Sequence, residues 1–172
     1  PGDFVIYDEE DCQDLLENIV RNEGFQNIGK PAEILAFFEN AKSRSVGDGL
    51  RLDGYDGSDI LTLSDDYVRD AFKRSDNIDF DRLKEVLPGL YVRYSKELIA
   101  RHALDFSDLI YFVRAILANV AKLRVKWSER FRFIQVDEVQ DTHMAEYDVI
   151  RTLSSAGNIA VFGDLDQSIY GW

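Results

Sequence analysis

The sequence predicts an α/β chain that is mainly helical, with a helical body of about 130 residues attached to a fragment of a parallel sheet. Three observations lead there. Two short apolar runs, residues 131–136 and 158–162, each lead into acidic residues, within V-D-E-V-Q-D-T at 136–142 and G-D-L-D-Q-S-I-Y-G-W at 163–172. A helical stretch lies between them, with Met144, Tyr147, Ile150 and Leu153 marking one face, so the runs read as parallel neighbours joined by a crossover helix. Upstream, apolar residues recur at steps of three and four, as amphipathic helices require.

In chain order, residues 4–7 form a short extended segment. The acidic run 8–11 then opens a helix to Asn22 with Leu15, Leu16, Ile19 and Val20 on its apolar face. Pro31 suits the first turn of a helix carrying Ile34, Leu35, Phe37 and Phe38. Residues 43–58 hold four glycines and predict a surface loop. Ser64, followed by Asp65 and Asp66, predicts a helix cap and a helix to Arg74. Shorter helical pieces are expected over 80–87, and Pro88 with Gly89 should break the chain before a helix from Leu90 to His102. The strongest period is Leu109, Val113, Ile116, Val120, Leu123 and Trp127, which predicts one long core helix capped by Ser107.

The 172 residues are 45% hydrophobic and 12% aromatic, enough for one domain with a core. No apolar run approaches the roughly 18 residues of a membrane span, so a soluble, cytoplasmic chain with no membrane partner is expected. The single cysteine, Cys12, excludes an internal disulfide, fits a reducing compartment and is expected to be buried or idle. Residues 1–90 hold 21 Asp and Glu against 10 Lys and Arg, so nearly all of the net charge of −12 sits there. Such a surface repels a phosphate backbone and argues against a dedicated nucleic-acid module.

Parallel strands joined by a crossover helix carry their carboxyl ends side by side, where open α/β sheets bind ligands. Asp137, Glu138, Asp164 and Gln167 are therefore expected to converge. A divalent metal with phosphates takes hard oxygen ligands, and a hydrolytic water needs a nearby carboxylate; this cluster offers both. Residues 24–30 fit G-x-x-x-x-G-K, but Pro31 stands where a hydroxyl is needed and a helix rather than a strand precedes Gly24. A helix-ending turn is expected there instead of a phosphate loop. His102 and His143 share no metal-ligand spacing and are expected to be solvated or capping.

The two motifs closely resemble motifs II and III of superfamily 1 helicases of the UvrD, Rep and PcrA type. Tyr91, Tyr94, Leu98 and A-L-D-F-S-D-L at 103–109 look like the segment before motif II in that family. F-V-I-Y-D-E-E at 4–10 looks like the entry to its helical insertion, subdomain 1B. The resemblance implies a fragment of a P-loop NTPase fold. Residues 1–127 would be a 1B-like helical insertion with connecting helices, and residues 128–172 part of the RecA-like motor domain 1A. The phosphate-loop segment and a second motor domain would lie elsewhere in the parent. Val139 departs from the common Phe, and Leu165 interrupts what is often a run of acids; neither removes a catalytic atom.

The function so implied is an ATP-dependent DNA helicase, moving 3′ to 5′ on single-stranded and partly duplex DNA with Mg2+ and ATP. Asp137 would hold the magnesium of MgATP, and Glu138 would orient and deprotonate the attacking water. Gln167 would contact the terminal phosphate or its water. Gln140, Asp141, Asp164 and Asp166 would support the ATP site, with Gln140, Asp141 and Thr142 bracing the motif and capping the crossover helix. Tyr170 and Trp172 would stack single-stranded bases or pack in the core. Asp105, Phe106 and Asp108 would line the DNA path or serve capping and packing. A second reading, of a different class, is an acidic helical protein-interaction module whose helicase motifs are inherited but inactive.

Overall fold

The computed structural model describes residues 3–25, 28–44, 80–154 and 157–164. Among these the chain is mainly helical, with two small parallel sheets. The contact network divides into two compact units, with the break between Leu109 and Ile110.

The first unit begins with β1 (Val5–Ile6) and α1 (Glu9–Asn22). Asp8 caps α1: its carboxylate accepts from the Asp11 N–H at 2.9 Å, and Asp11 accepts in return from the Asp8 N–H at 3.3 Å. The helix ends where expected. The Phe25 N–H donates to the Val20 carbonyl at 3.1 Å and the Gly24 N–H to that of Arg21 at 3.2 Å, with Gly24 at φ +69°. That pairing is a Schellman motif, and the apolar Val20 and Phe25 that accompany it both pack on the core. The first glycine of the G-x-x-x-x-G-K string thus ends a helix.

Next, α2 (Pro31–Arg44) starts on Pro31, with the Glu33 carboxylate reaching back to the Lys30 N–H at 3.1 Å. Ser43 and Arg44 close α2 rather than opening a loop. The rest of the loop expected up to Ser58, and the helix expected from Ser64 to Arg74, fall outside the described residues.

One helix, α3 (Phe80–Ala100), replaces the two pieces expected around Pro88. Pro88 lacks an N–H and costs a helix interior about 3 kcal/mol. The apolar ridge Leu83, Leu87, Leu90, Tyr91, Tyr94 and Leu98 is completely or almost completely buried. Burying these six side chains stabilises the continuous helix by about 1.5–3 kcal/mol each, which outweighs the local defect. They meet Leu15, Leu16 and Ile19 of α1 and Ile34, Phe37 and Phe38 of α2 in one core. Tyr91 and Phe38 meet edge to face, with ring centroids 4.9 Å apart. Cys12 is buried in this core, where desolvation pushes its thiol above the ordinary range.

After α3, β2 (Ala103–Leu104) returns to pair in parallel with β1. α4 (Phe106–Asn119) follows, and its cap is Asp105 rather than Ser107. Asp105 Oδ1 accepts from the Asp108 N–H at 2.7 Å and Asp108 Oδ2 from the Asp105 N–H at 3.3 Å. Into this capping box reaches Lys42, only 2% exposed. Its Nζ lies 2.6 Å from Asp105 Oδ2, 2.7 Å from Asp108 Oδ1 and 3.0 Å from Ser107 Oγ. Ser107 and Tyr94 hydroxyls donate to Asp105 as well, at 2.7 and 3.2 Å. Phe106, between the two acids, is 62% exposed.

Burial opposes charge on Lys42, but the two carboxylates overcome it and hold its pKa above the ordinary lysine value. Burial likewise works against the Asp105 anion, yet Lys42, Ser107 and the Asp108 N–H hold its pKa down. Asp108, with fewer donors, is pushed up by burial against the pull of Lys42, with the Asp105 charge adding to the rise.

In the second unit the long core helix expected from Leu109 to Trp127 is two helices, α4 and then α5 (Ala121–Ser128), because Val120 leaves helical geometry at φ −111°, ψ 85°. Arg124 satisfies two freed carbonyls of α4, donating to Leu117 and Ala118 at 2.9 and 3.0 Å. The buried face is also not the expected one. Tyr111, Arg114, Ala115 and Leu117 are buried while Val113 and Trp127 are exposed. Apolar residues lie on every side of α4, so period alone did not select the face. Arg114 is held by Asp148 at 2.7 Å.

β3 (Ile134–Val136) and β4 (Ile159–Val161) pair in parallel, as expected, joined through α6 (Met144–Leu153). Of the α6 face marked by Met144, Tyr147, Ile150 and Leu153, the last two are half-buried. Met144 and Tyr147 are exposed, and the buried residue is Ala145. No helix among the described residues is long and apolar enough to cross a membrane.

Replacing Lys42 with Met leaves two buried carboxylates uncompensated and should cost about 3–5 kcal/mol by denaturant titration at pH 7. In the parent, the depressed Asp105 contributes stability that is lost only as pH falls through its lowered pKa. In the variant both acids resist ionisation, so the penalty is relieved as pH falls and the gap should narrow between pH 7 and 5. A gap that stays constant over that range would mean that Lys42 is not their counter-ion.

Candidate active site

The second sheet is built so that two chain segments leave it together. Asn158 ties the start of β4 to the approach of β3, donating to the Phe131 and Arg132 carbonyls at 2.7 and 2.9 Å. The register pairs Ile134 with Ile159 and Val136 with Val161. Beyond the last ladder pair, the Phe162 N–H donates to the Val136 carbonyl at 2.7 Å, and the Val139 N–H returns to the Phe162 carbonyl at 3.0 Å. Asp137 and Glu138 therefore sit beside Gly163 and Asp164.

The turn after β3 is tight. Glu138 has φ 51°, ψ 44°, in the left-handed region that side chains avoid, at a cost of about 1–2 kcal/mol. Asp137 Oδ1 accepts from the Glu138 N–H at 3.0 Å. A single 3-10 turn, Val139–Asp141, then carries the chain toward α6. The N-cap of α6 is His143, whose N–H is met by the Glu146 carboxylate at 3.0 Å. Gln140, Asp141 and Thr142 thus precede the cap rather than form it, because the 3-10 turn takes the first two and Thr142 follows it in extended backbone.

Gln140 is the residue that joins the two segments. Its Nε2 donates to Glu138 Oε2, and its Oε1 accepts from the Asp164 N–H at 3.1 Å. Gly163 makes this possible: a Cβ there would fall on Gln140 Oε1 and come within 2.8 Å of Val139 Cγ1. Asp137, Glu138 and Asp164 are exposed and Asp141 half-buried. Asp141 Oδ1 is buried and meets no hydrogen-bond donor among the described residues. Asp166, Gln167, Tyr170 and Trp172 lie outside the described residues.

The backbone segments that carry Asp137, Glu138 and Asp164 therefore lie side by side. Asp105 and Asp108 are buried around Lys42, where they cap α4. Two residues escaped sequence reasoning: Gly163, whose lack of a side chain the Gln140 amide requires, and Lys42. The second left a signal, since Lys42 follows Phe38 by one helical turn on the apolar face of α2.

Among the described residues no three His, Cys, Asp or Glu side chains gather as a metal cage. The donor set suits a magnesium ion held by one or two carboxylates with water and phosphate oxygens. Asp137, exposed and with one oxygen engaged by a backbone N–H, can serve such an ion.

The chain matches, over residues 1–172, the family described as UvrD/REP helicase N-terminal domain. It is 29% identical over 171 residues to the ATP-dependent DNA helicase PcrA of Leuconostoc citreum and 28% identical to that of Staphylococcus aureus, covering 98% of this chain and 20% of each relative. A DNA helicase II of Rickettsia typhi is 38% identical over 91 residues, 52% of this chain and 14% of that protein. The chain thus spans about a fifth of the length of the PcrA relatives it matches.

The left-handed Glu138 makes a stability prediction. Glu138→Gly should raise the unfolding free energy by about 0.5–1 kcal/mol, the relief of a side chain from that region less the entropy of glycine. A loss of stability in the same denaturant titration would show that the Glu138 side chain holds the turn rather than straining it.

Proposed function

Because the chain belongs to the UvrD/REP helicase family, we propose that it is part of an ATP-dependent DNA helicase that moves 3′ to 5′ on single-stranded DNA and separates duplex. In this reading residues 128–172 are part of a RecA-like motor domain carrying motifs II and III, and residues 1–127 are the helical insertion with its connecting helices. The observation that carries it is the parallel β3–β4 pair, which sets Asp137 and Glu138 beside Gly163 and Asp164. Phosphoryl transfer to water asks a protein chiefly to position groups and to stabilise charge.

Each residue then takes one task. Asp137 holds the magnesium of MgATP, which when bound neutralises charge on the phosphates. Glu138 orients the attacking water and takes its proton. Gln140, Asp141, Asp164 and Asp166 support the site, and Gln167 meets the terminal phosphate or its water. Tyr170 and Trp172 offer faces to single-stranded bases. The helix-ending turn at Gly24 supports a phosphate loop supplied by another part of the protein.

In the full-length protein, Glu138→Gln should abolish hydrolysis, a loss of about 10²–10⁴-fold or more, while nucleotide binding by filter or fluorescence assay is retained. Normal turnover in that variant removes Glu138 from the base role. Trp172→Ala should weaken DNA-coupled stepping more than basal ATPase, and unchanged stepping would favour simple packing. The isolated 172-residue chain should hydrolyse no ATP; DNA-stimulated hydrolysis by it would overturn the proposal that the phosphate loop lies outside these residues.

A further inference from the structure

We infer that Gln140 is a positioning residue that ties the Glu138 carboxylate to the strand end at Gly163–Asp164, so that displacement of that strand end releases Glu138. The inference rests on the ATPase reading above and adds to it a means of regulating the same site.

Three observations support it independently. First, the Gln140 amide uses both of its ends: Nε2 donates to Glu138 Oε2 while Oε1 accepts from the Asp164 N–H at 3.1 Å. A carboxamide offers a donor and an acceptor on one rigid plane whatever the pH, and the reach from a 3-10 turn to a neighbouring strand end calls for Gln rather than the shorter Asn. Second, Gly163 leaves open the space that this amide fills. A Cβ there would displace the amide, so the two positions are matched sterically. Third, Glu138 is exposed and stands on a left-handed backbone. An exposed glutamate samples several rotamers, and a strained backbone persists only where its surroundings fix it. The Val139–Phe162 backbone bond fixes the turn, and Gln140 fixes the side chain.

The consequence is directional. Residues 163–164 open the second motif, so a shift of its backbone by about 1 Å would break the Asp164–Gln140 bond and free the Gln140 amide to turn away from Glu138. Loss of position on that scale can cost about ten- to a hundredfold in rate without changing how substrate is bound.

The test uses the full-length protein and ATP turnover with saturating single-stranded DNA. Gln140→Ala should lower kcat by about ten- to a hundredfold with KM for ATP changed less than about twofold. Gln140→Glu keeps the chain length and the acceptor for Asp164 but loses the donor to Glu138; it should be at least as slow as Gln140→Ala, with an unchanged thermal midpoint. Gly163→Ala should reproduce the kcat loss. Full turnover by the Gln140 variants would overturn the inference. An inactive Glu138→Gln beside fully active Gln140 variants sinks the bridge alone, whereas normal turnover by Glu138→Gln sinks the base assignment and the bridge together.

Discussion

A buried cation organises the first unit. Lys42 is placed by the same helical period that buries Phe38, so α2 cannot pack its apolar face without taking an ammonium group out of water. The cost is met by two carboxylates that are themselves ordered by capping α4, and by hydroxyls of Ser107 and Tyr94 that satisfy the remaining lone pairs. Helix start, helix packing and ion pairing are therefore one condition. Remove any member and the others are left buried without compensation, which is why such a cluster fixes one arrangement more than it adds net stability.

What could be read from the sequence depended on whether the controlling interaction was local. The capped start of α1 at Asp8, its glycine-ended finish, and the start of α2 on Pro31 rest on contacts a few residues apart, and the structure has them. The parallel β3–β4 pair followed from two apolar runs and one connecting helix. Pro88 misled because a local rule was set against a six-residue buried ridge, and long-range packing won. The break at Val120 and the partly outward faces of α4 and α6 escaped for a related reason. Where apolar residues occupy several sides of a helix, the pattern does not say which side is covered.

The candidate site was legible in its acids and not in its geometry. Asp137, Glu138 and Asp164 announce themselves as charges that follow short apolar strand runs. That Glu138 is left-handed, and that a glutamine joins it to the next strand end across a glycine, arise only once the chain turns back on itself. Among the described residues, left-handed backbone outside glycine occurs at Glu138 and at His102, where the chain turns into β2.

The Lys42 cluster also has an order in time. Asp105 follows Lys42 by 63 positions, and a ribosome adding roughly 5 to 20 residues per second delivers it several seconds later. β1 waits longer still, since Val5 pairs with Ala103. Through that interval α1 and α2 exist without the anions and the strand that complete their unit. Lys42 is therefore made, on the apolar face of α2, before either of the carboxylates that compensate it.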